Sequence, residues 1–339
     1  MGQPVDIEDH AALLDYLRRT HRLPPEKTPA FETLAGGVSN KTVLVERSVG
    51  ESWVIKQALP KLRVKVDWFS DPSRIRREAE ALRWLPELAP PGTITPLVFE
   101  DPDHHLLAML AVPQPHENWK TMLLAGRALP KHVRQFARLL GRIHRESHGR
   151  RGHLAATFHD RSFFESLRLE PYYLFTGSQV GESAMFLRGL VEATRGRRLA
   201  LVHGDYSPKN VLVREDRIVL LDHEVIHWGD PAFDVGFALT HLLSKALHLR
   251  AHRVRFRQSA IYFWDEYLAE VGDVTWLADL EFFAVRHTLG CLLARVAGRS
   301  PLEYLAEAER VLQREAVVGL MSKPPAGVMV LIKEFLERV

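Results

Sequence analysis

Residues 201–234 constrain this chain more than any other stretch. Two apolar runs within it, 211–213 and 218–221, read as short buried strands. The polar turn Arg214-Glu215-Asp216-Arg217 joins them into a hairpin. That hairpin delivers polar residues to one end: His203, Asp205 and Asn210 before the first strand, Asp222 and Glu224 after the second. Asp205, Asn210, Asp222 and Glu224 offer hard oxygen donors of the kind Mg²⁺ prefers. A carboxylate set apart from such a metal can accept the proton of an attacking hydroxyl.

The chain has 339 residues, well beyond the ~150 typical of one domain, so two lobes are expected. Apolar residues make up 46% and charged residues 26%, the balance of a soluble globular protein. Cys291 is the single cysteine, which excludes an internal disulfide and fits a reducing cytoplasm. The first residues lack a basic segment followed by an apolar one, so no signal peptide is expected. No apolar run reaches the ~18 residues of a membrane span. The net charge of +3 favours anionic small ligands over nucleic acid.

The spacing of Ile7, Ala11, Leu14 and Leu17 predicts an amphipathic helix over 6–21, ended by Pro24-Pro25. Two strand-like runs then flank Gly36, Gly37, Ser39 and Asn40, where glycines let backbone N–H groups approach a phosphate. A third strand, Trp53-Val54-Ile55-Lys56, ends on a lysine that is costly to bury unless paired. Asp71 and Pro72 read as the start of a helix running over 73–85. Its apolar stripe is Ile75, Ala79, Leu82 and Leu85; Glu78 borders the stripe and Glu80 points outward. Residues 106–112 read as a buried strand stopped by Pro113-Gln114-Pro115.

The pattern His203-Gly204-Asp205-x-x-x-x-Asn210 followed by Asp222-x-Glu224 resembles the core of the protein-kinase-like superfamily, in its aminoglycoside phosphotransferase and choline kinase branch. The resemblance implies an α+β, two-lobed fold: a small antiparallel-sheet lobe over 1–112 that binds nucleotide, and a larger, mostly helical lobe over 113–339 for catalysis and the acceptor. It implies ATP and Mg²⁺ as cofactors and a small-molecule hydroxyl as acceptor, with neither nucleic acid nor membrane as partner; oligomeric state stays open. Asp205 is then the catalytic carboxylate, with His203 orienting its loop. Asn210, Asp222 and Glu224 are the metal residues. Gly36, Gly37, Ser39 and Asn40 form the phosphate-covering loop, Lys56 clamps phosphates with Glu78 as its partner, and the backbone of Met109, Leu110, Ala111 and Val112 contacts adenine. An Asp at the position of Asp234 holds the catalytic loop. Lys209 either reaches the γ-phosphate or lies on the surface.

The stretch Lys56-Gln57-Ala58-Leu59-Pro60, with Trp68 beyond it, is similar to that of methylthioribose kinases, whose second metal motif is also Asp-x-Glu; Asn210 departs from their loop. Residues 239–299 carry no acidic surplus, which favours a neutral or anionic acceptor such as a methylthioribose-like pentose. The alternatives are an aminoglycoside or amino-alcohol phosphotransferase and, in another class, a nucleotide-binding pseudokinase. Several other features carry expectations. His144 and His148 read as solvated residues at a helix end, and the basic run Arg250, Arg253, Arg255 and Arg257 as a snorkelling face. Arg286, inside an apolar helix, needs a partner, either a carboxylate or a substrate oxygen. Ser300-Pro301-Leu302-Glu303 reads as a capping box opening a helix that runs to about Leu320.

Overall fold

The computed structural model describes residues 5–35, 37–47, 51–63 and 67–339. Its N-terminal part is a five-stranded antiparallel sheet of order β1-β2-β3-β5-β4. The strands are β1 (Ala30–Thr33), β2 (Asn40–Glu46), β3 (Trp53–Ala58), β4 (Leu97–Asp101) and β5 (Leu106–Leu110). Side chains alternate across it as the pleat requires. Val43, Ile55 and Ala108 pack on one face against Leu13, Tyr16 and Leu17 of helix α1 (His10–Arg19). The helix begins later than the 6–21 expectation because the Asp9 side chain accepts the Ala11 and Ala12 N–H groups and caps it there. Lys56, opposite Thr42 and Leu107 in the register, lies on the other face.

That second face meets α2 (Arg74–Leu88), whose Ile75, Ala79, Leu82 and Leu85 join the main core. The helix starts two positions later than Asp71 and Pro72 suggest. Asp71 instead accepts the Ser73 N–H at 2.8 Å and closes a turn ahead of it. Pro86 falls inside the last turn and does not end the helix, which continues so that Leu88 is buried. Strand β4 was not expected. All five of its residues are half-buried and its pairing slips between Leu97 and Phe99, so no clean alternation marks it in the sequence.

The rest is mostly helical. Strand β6 (Glu117–Asn118) leads into α3 (Trp119–Leu124), α4 (Pro130–Gly149), α5 (Arg151–Thr157) and α6 (Ser162–Phe164). A π-helical segment, Glu165–Leu174, continues into α7 (Phe175–Gln179), followed by α8 (Ala184–Gly196). Four short strands come next: β7 (Ala200–Val202), β8 (Val211–Arg214), β9 (Arg217–Leu220) and β10 (His227–Gly229). Strands β8 and β9 form the expected hairpin, its turn made by Glu215 and Asp216 in left-handed conformations. Asp216 is anchored there by Lys131 at 2.6 Å and by the Gln135 amide on its carbonyl.

Helix α9 (Pro231–His248) is buried from Pro231 to Leu247, as a helix apolar on all sides must be. Around it stand α10 (Arg253–Val271), α11 (Leu277–Ala297), α12 (Glu307–Ser322) and α13 (Val328–Arg338). Helix α12 does not begin at Ser300. Arg295 takes both the Ser300 hydroxyl and carbonyl, and Lys120 takes the Glu303 carboxylate, so neither half of that capping box forms. Glu309 accepts the Ala306 N–H instead, at 2.8 Å, and the helix opens there. Among the described residues no helix is long and apolar enough to cross a membrane.

Helices α9 and α11 pack tightly at Gly236, where a Cβ atom would stand 2.5 Å from the His287 Cβ and 2.7 Å from backbone atoms. Gly236→Ala should therefore lower stability by about 1–3 kcal/mol through overpacking. A urea midpoint equal to wild type would show that the two helices do not approach this closely.

Candidate active site

The loop after β7 is held from below. Asp234, fully buried in the first turn of α9, accepts the His203 N–H at 2.6 Å and the Gly204 N–H at 2.8 Å. Gly204 has φ +76°, and a Cβ there would sit 3.0 Å from the Val225 carbonyl oxygen, so only glycine makes this turn without strain. His144 Nε2 lies 3.3 Å from Asp234, and its Nδ1 is 2.9 Å from the Tyr267 hydroxyl. His144 is thus a buried support and not a solvated helix-end residue. Its four-residue spacing from Phe136 and Leu140, both buried on the same face, was the available signal. His148 lies 2.8 Å from the Leu199 carbonyl and 3.3 Å from the Thr275 hydroxyl.

The loop presents Asp205 with its two oxygens treated differently. Oδ2 receives Arg168 at 3.0 Å, Lys209 at 2.8 Å and the Asn210 amide at 3.0 Å. Oδ1 accepts no hydrogen bond from the described residues. Burial alone would raise the carboxyl's pKa, but Lys209 and Arg168 outweigh it and hold Asp205 below the usual carboxylate range. His203 Nδ1 accepts the Asp205 N–H at 3.2 Å, and burial pushes its pKa down, so the ring is a neutral acceptor. Arg168 was missed in the sequence. It belongs to the π-helical segment, where its Nε donates to the Gly204 carbonyl at 2.6 Å. The signal was an arginine between Leu167 and Leu169 in an otherwise buried run.

Across from this loop, Lys56 Nζ lies 2.6 Å from Glu78 Oε1 and 3.0 Å from Asp222 Oδ1. Burial opposes the Lys56 charge, but Asp222 and Glu78 overcome it and hold the ammonium's pKa above its ordinary value. Burial likewise raises Asp222, and Lys56 and Lys209 together pull it well below the carboxylate range. Asp222 takes a left-handed φ of 67° at the end of β9, which turns its side chain toward Lys56. Glu80, as expected, faces outward to Arg83 and Trp84.

Glu224 lies apart from that pair. Its Oε2 accepts Arg74 Nε at 3.0 Å and the Asn40 amide at 3.1 Å. Arg74 is completely buried and also donates to the carbonyls of Ser39 and Leu59. Gly36 lies outside the described residues. A Cβ on Gly37 would sit 3.1 Å from the Asn40 carbonyl, so the loop folds back tightly on itself there. In the segment after β5, the Leu110 and Ala111 N–H groups are taken by the carbonyls of Pro96 and Ser52. Of the backbone donors expected there, Val112 N–H is the one without a backbone partner among the described residues. Arg286 needs neither a carboxylate nor a substrate: it donates to the Phe282 carbonyl and stacks 3.2 Å over the Phe282 ring. A cavity of about 790 Å³ between α2 and residues 157–166, lined by Phe69, Arg76, Arg77, Asp160 and Phe163, contains none of the candidate residues.

No cluster of three or more His, Cys, Asp or Glu side chains stands ready for a metal among the described residues. The donor set nevertheless fits Mg²⁺, which uses one or two protein oxygens and takes the rest from phosphates and water. Asn210 has committed its amide nitrogen to Asp205 and Asp222 has committed Oδ1 to Lys56, leaving one oxygen on each.

The model of the phosphotransferase enzyme family matches residues 30–267. A methylthioribose kinase of Pectobacterium carotovorum is 25% identical over 247 residues, 65% of this chain. The chain spans 61% of that relative's length. A choline/ethanolamine kinase family protein from Mesorhizobium loti has a TM-score of 0.55 at 16% identity, covering 96% of this chain and 98% of the other. An ethanolamine kinase from Plasmodium vivax has a TM-score of 0.57 at 11% identity, covering 94% and 89%. These two likenesses establish the two-lobed kinase-like fold.

The contact of Lys56 with both Glu78 and Asp222 sets the order of two single variants. Lys56→Ala, which leaves two carboxylates without their cation, should lower the free energy of unfolding more than Glu78→Ala. The double variant should be worse than Lys56→Ala by less than the Glu78→Ala loss alone, with a coupling of about 0.5–3 kcal/mol. Strictly additive losses would mean that Glu78 does not act through Lys56.

Proposed function

The chain belongs to the phosphotransferase enzyme family, and we propose that it transfers the γ-phosphoryl group of ATP to a hydroxyl of a small molecule. The observation that carries this reading is the divided Asp205 carboxylate: Oδ2 is fixed by Arg168, Lys209 and Asn210, and Oδ1 is left open. A carboxylate held in this way can orient an acceptor hydroxyl and take its proton. The acceptor oxygen attacks the γ-phosphorus, the bond to the ADP oxygen breaks, and the hydroxyl proton passes to Oδ1. With its pKa lowered, Asp205 serves chiefly as an orienting acceptor that takes the proton late.

In this reading residues 1–112 form the nucleotide lobe and 113–339 the catalytic and acceptor lobe. Lys56, kept in place by Glu78, draws in the phosphates. Gly36, Gly37, Ser39 and Asn40 cover them, and Val112 N–H meets the adenine edge beside Met109. Asn210 and Asp222 would hold Mg²⁺ with their free oxygens, and Glu224 supports them through its remaining oxygen. Bound there, the ion would neutralise charge on the phosphates. His203 orients the loop through the Asp205 N–H. Catalysis of this kind rests on positioning and electrostatics more than on covalent chemistry. A cytoplasmic location belongs to the same reading, in keeping with Cys291 as a buried free thiol.

A sugar hydroxyl is the favoured acceptor. The Pectobacterium relative is a methylthioribose kinase, and residues 239–299 offer no acidic surplus for a polycation. Coupled ADP release with pentoses, amino alcohols and aminoglycosides tests this directly. Saturable turnover of a pentose-type compound is expected; saturable turnover of aminoglycosides with none of any pentose would overturn it. Asp205→Asn should still bind nucleotide while kcat falls by about 10²- to 10⁴-fold. Wild-type turnover by the purified variant would remove Asp205 from its role.

A further inference from the structure

Helix α9 carries a charge that the fold leaves unpaired. Lys245 is fully buried, yet its Nζ donates only to the His241 carbonyl of its own helix, at 3.3 Å. No carboxylate among the described residues forms an ion pair with it; the Tyr304 ring centroid lies 5.1 Å away. One turn back along the helix, His241 Nε2 has no hydrogen-bond partner among the described residues, and neither does the Tyr304 hydroxyl. Arg295 of α11 faces the same helix, 5.8 Å from the Phe237 ring. Among the described residues its Nη1 bonds only neutral oxygens, those of Tyr172 and Ser300, and its Nε has no partner.

A buried ammonium without a counter-ion is destabilising, and orphaned polar atoms around it are rare in native interiors. Here several gather in one place. Burial pushes the His241 pKa well down, and the largest charges that add to this are positive: Arg295, Lys245, Lys209 and Lys120. Burial, followed by Lys120 and Arg295, pushes the Lys245 amine down to about 7, with Glu303 opposing. Glu303 is itself committed to Lys120 at the rim, where its side chain is 65% exposed. The cluster also borders the catalytic loop. Lys209 touches Asp205 at 2.8 Å, and Asn118, which caps α3 ahead of Lys120, donates to the Lys209 carbonyl at 2.7 Å.

We propose that Lys245, Arg295, His241 and Tyr304 form a subsite for an anionic group of the acceptor, a carboxylate or a phosphate, while the acceptor's hydroxyl lies at Asp205. This rests on the kinase reading and narrows it: the acceptor is a sugar-like hydroxyl compound that also bears an acidic group. The anion supplies the counter-charge that the folded chain withholds from Lys245, and it accepts the hydrogen bonds that Tyr304 and Arg295 have to give.

Three probes test the subsite: neutral D-ribose, D-ribonate and D-ribose 5-phosphate. Thermal shift should give a higher Tm with at least one of the two anions and none with ribose. Which anion acts distinguishes carboxylate from phosphate. Lys245→Met removes an unpaired buried charge at similar volume, so it should fold at least as well as wild type while losing that shift. In coupled ADP release its KM for the anionic acceptor should rise about 10-fold or more, with the KM for ATP little changed. Arg295→Gln, as a second variant, should weaken the same anion. No shift with either anion, or a shift retained in both variants, overturns the subsite. A shift that Lys245→Met abolishes, found without phosphorylation of any of the hydroxyl compounds tested, supports the subsite and counts against the kinase reading.

Discussion

The buried carboxylate of Asp234 is the contact on which the rest of the site depends. It receives two consecutive backbone N–H groups, those of His203 and Gly204, from a loop that has no regular structure of its own. Without it two buried donors would lose their partner, at about 1–3 kcal/mol each. Its place in the first turn of α9 adds the favourable helix field, and His144 closes its remaining side. Asp205, Lys209 and Asn210 all inherit their positions from that anchor. A helix buried from Pro231 to Leu247 is a firm foundation.

Above the loop, charges of alternating sign join parts of the chain that packing alone would leave free to slide. Lys56 connects β3, α2 and the turn after β9 through Glu78 and Asp222. Arg74 connects α2 to the Ser39 and Leu59 carbonyls and to Glu224. Buried pairs of this sort contribute little net stability, because desolvation consumes most of the attraction, but breaking one by removing a partner costs about 3–5 kcal/mol. They set relative position. Apolar contacts along α2 tolerate small shifts, whereas a lysine lodged between two carboxylates does not.

The acceptor side follows the opposite rule. Around Asp205 every cation meets an anion, while along α9 and α11 the cations Lys245 and Arg295 meet only neutral groups. Two regions of one lobe with such different charge balance are hard to explain by packing. A ligand that brings its own negative charge accounts for the difference.

The sequence by itself determined the hairpin and the residues that flank it. Asp205, Asn210 and Asp222 sit within eighteen residues of one another in a strand-turn-strand segment, and local geometry alone brings such residues to one end. The period-two pattern around Ile55 put Lys56 on the face opposite α1, and the helical period of α2 put Glu78 beside the apolar stripe. Tertiary structure alone decided the partners that come from far away. Arg74 and Glu224 are 150 residues apart, and His144 and Asp234 are 90. Arg168, Lys245 and Arg295 look like ordinary cations in the sequence, since whether a cation is paired depends on which distant backbone or carboxylate the fold brings within about 4 Å. The capping pattern at Ser300 failed for the same reason. Its hydroxyl and its glutamate were both competent, but Arg295 and Lys120 reached them first.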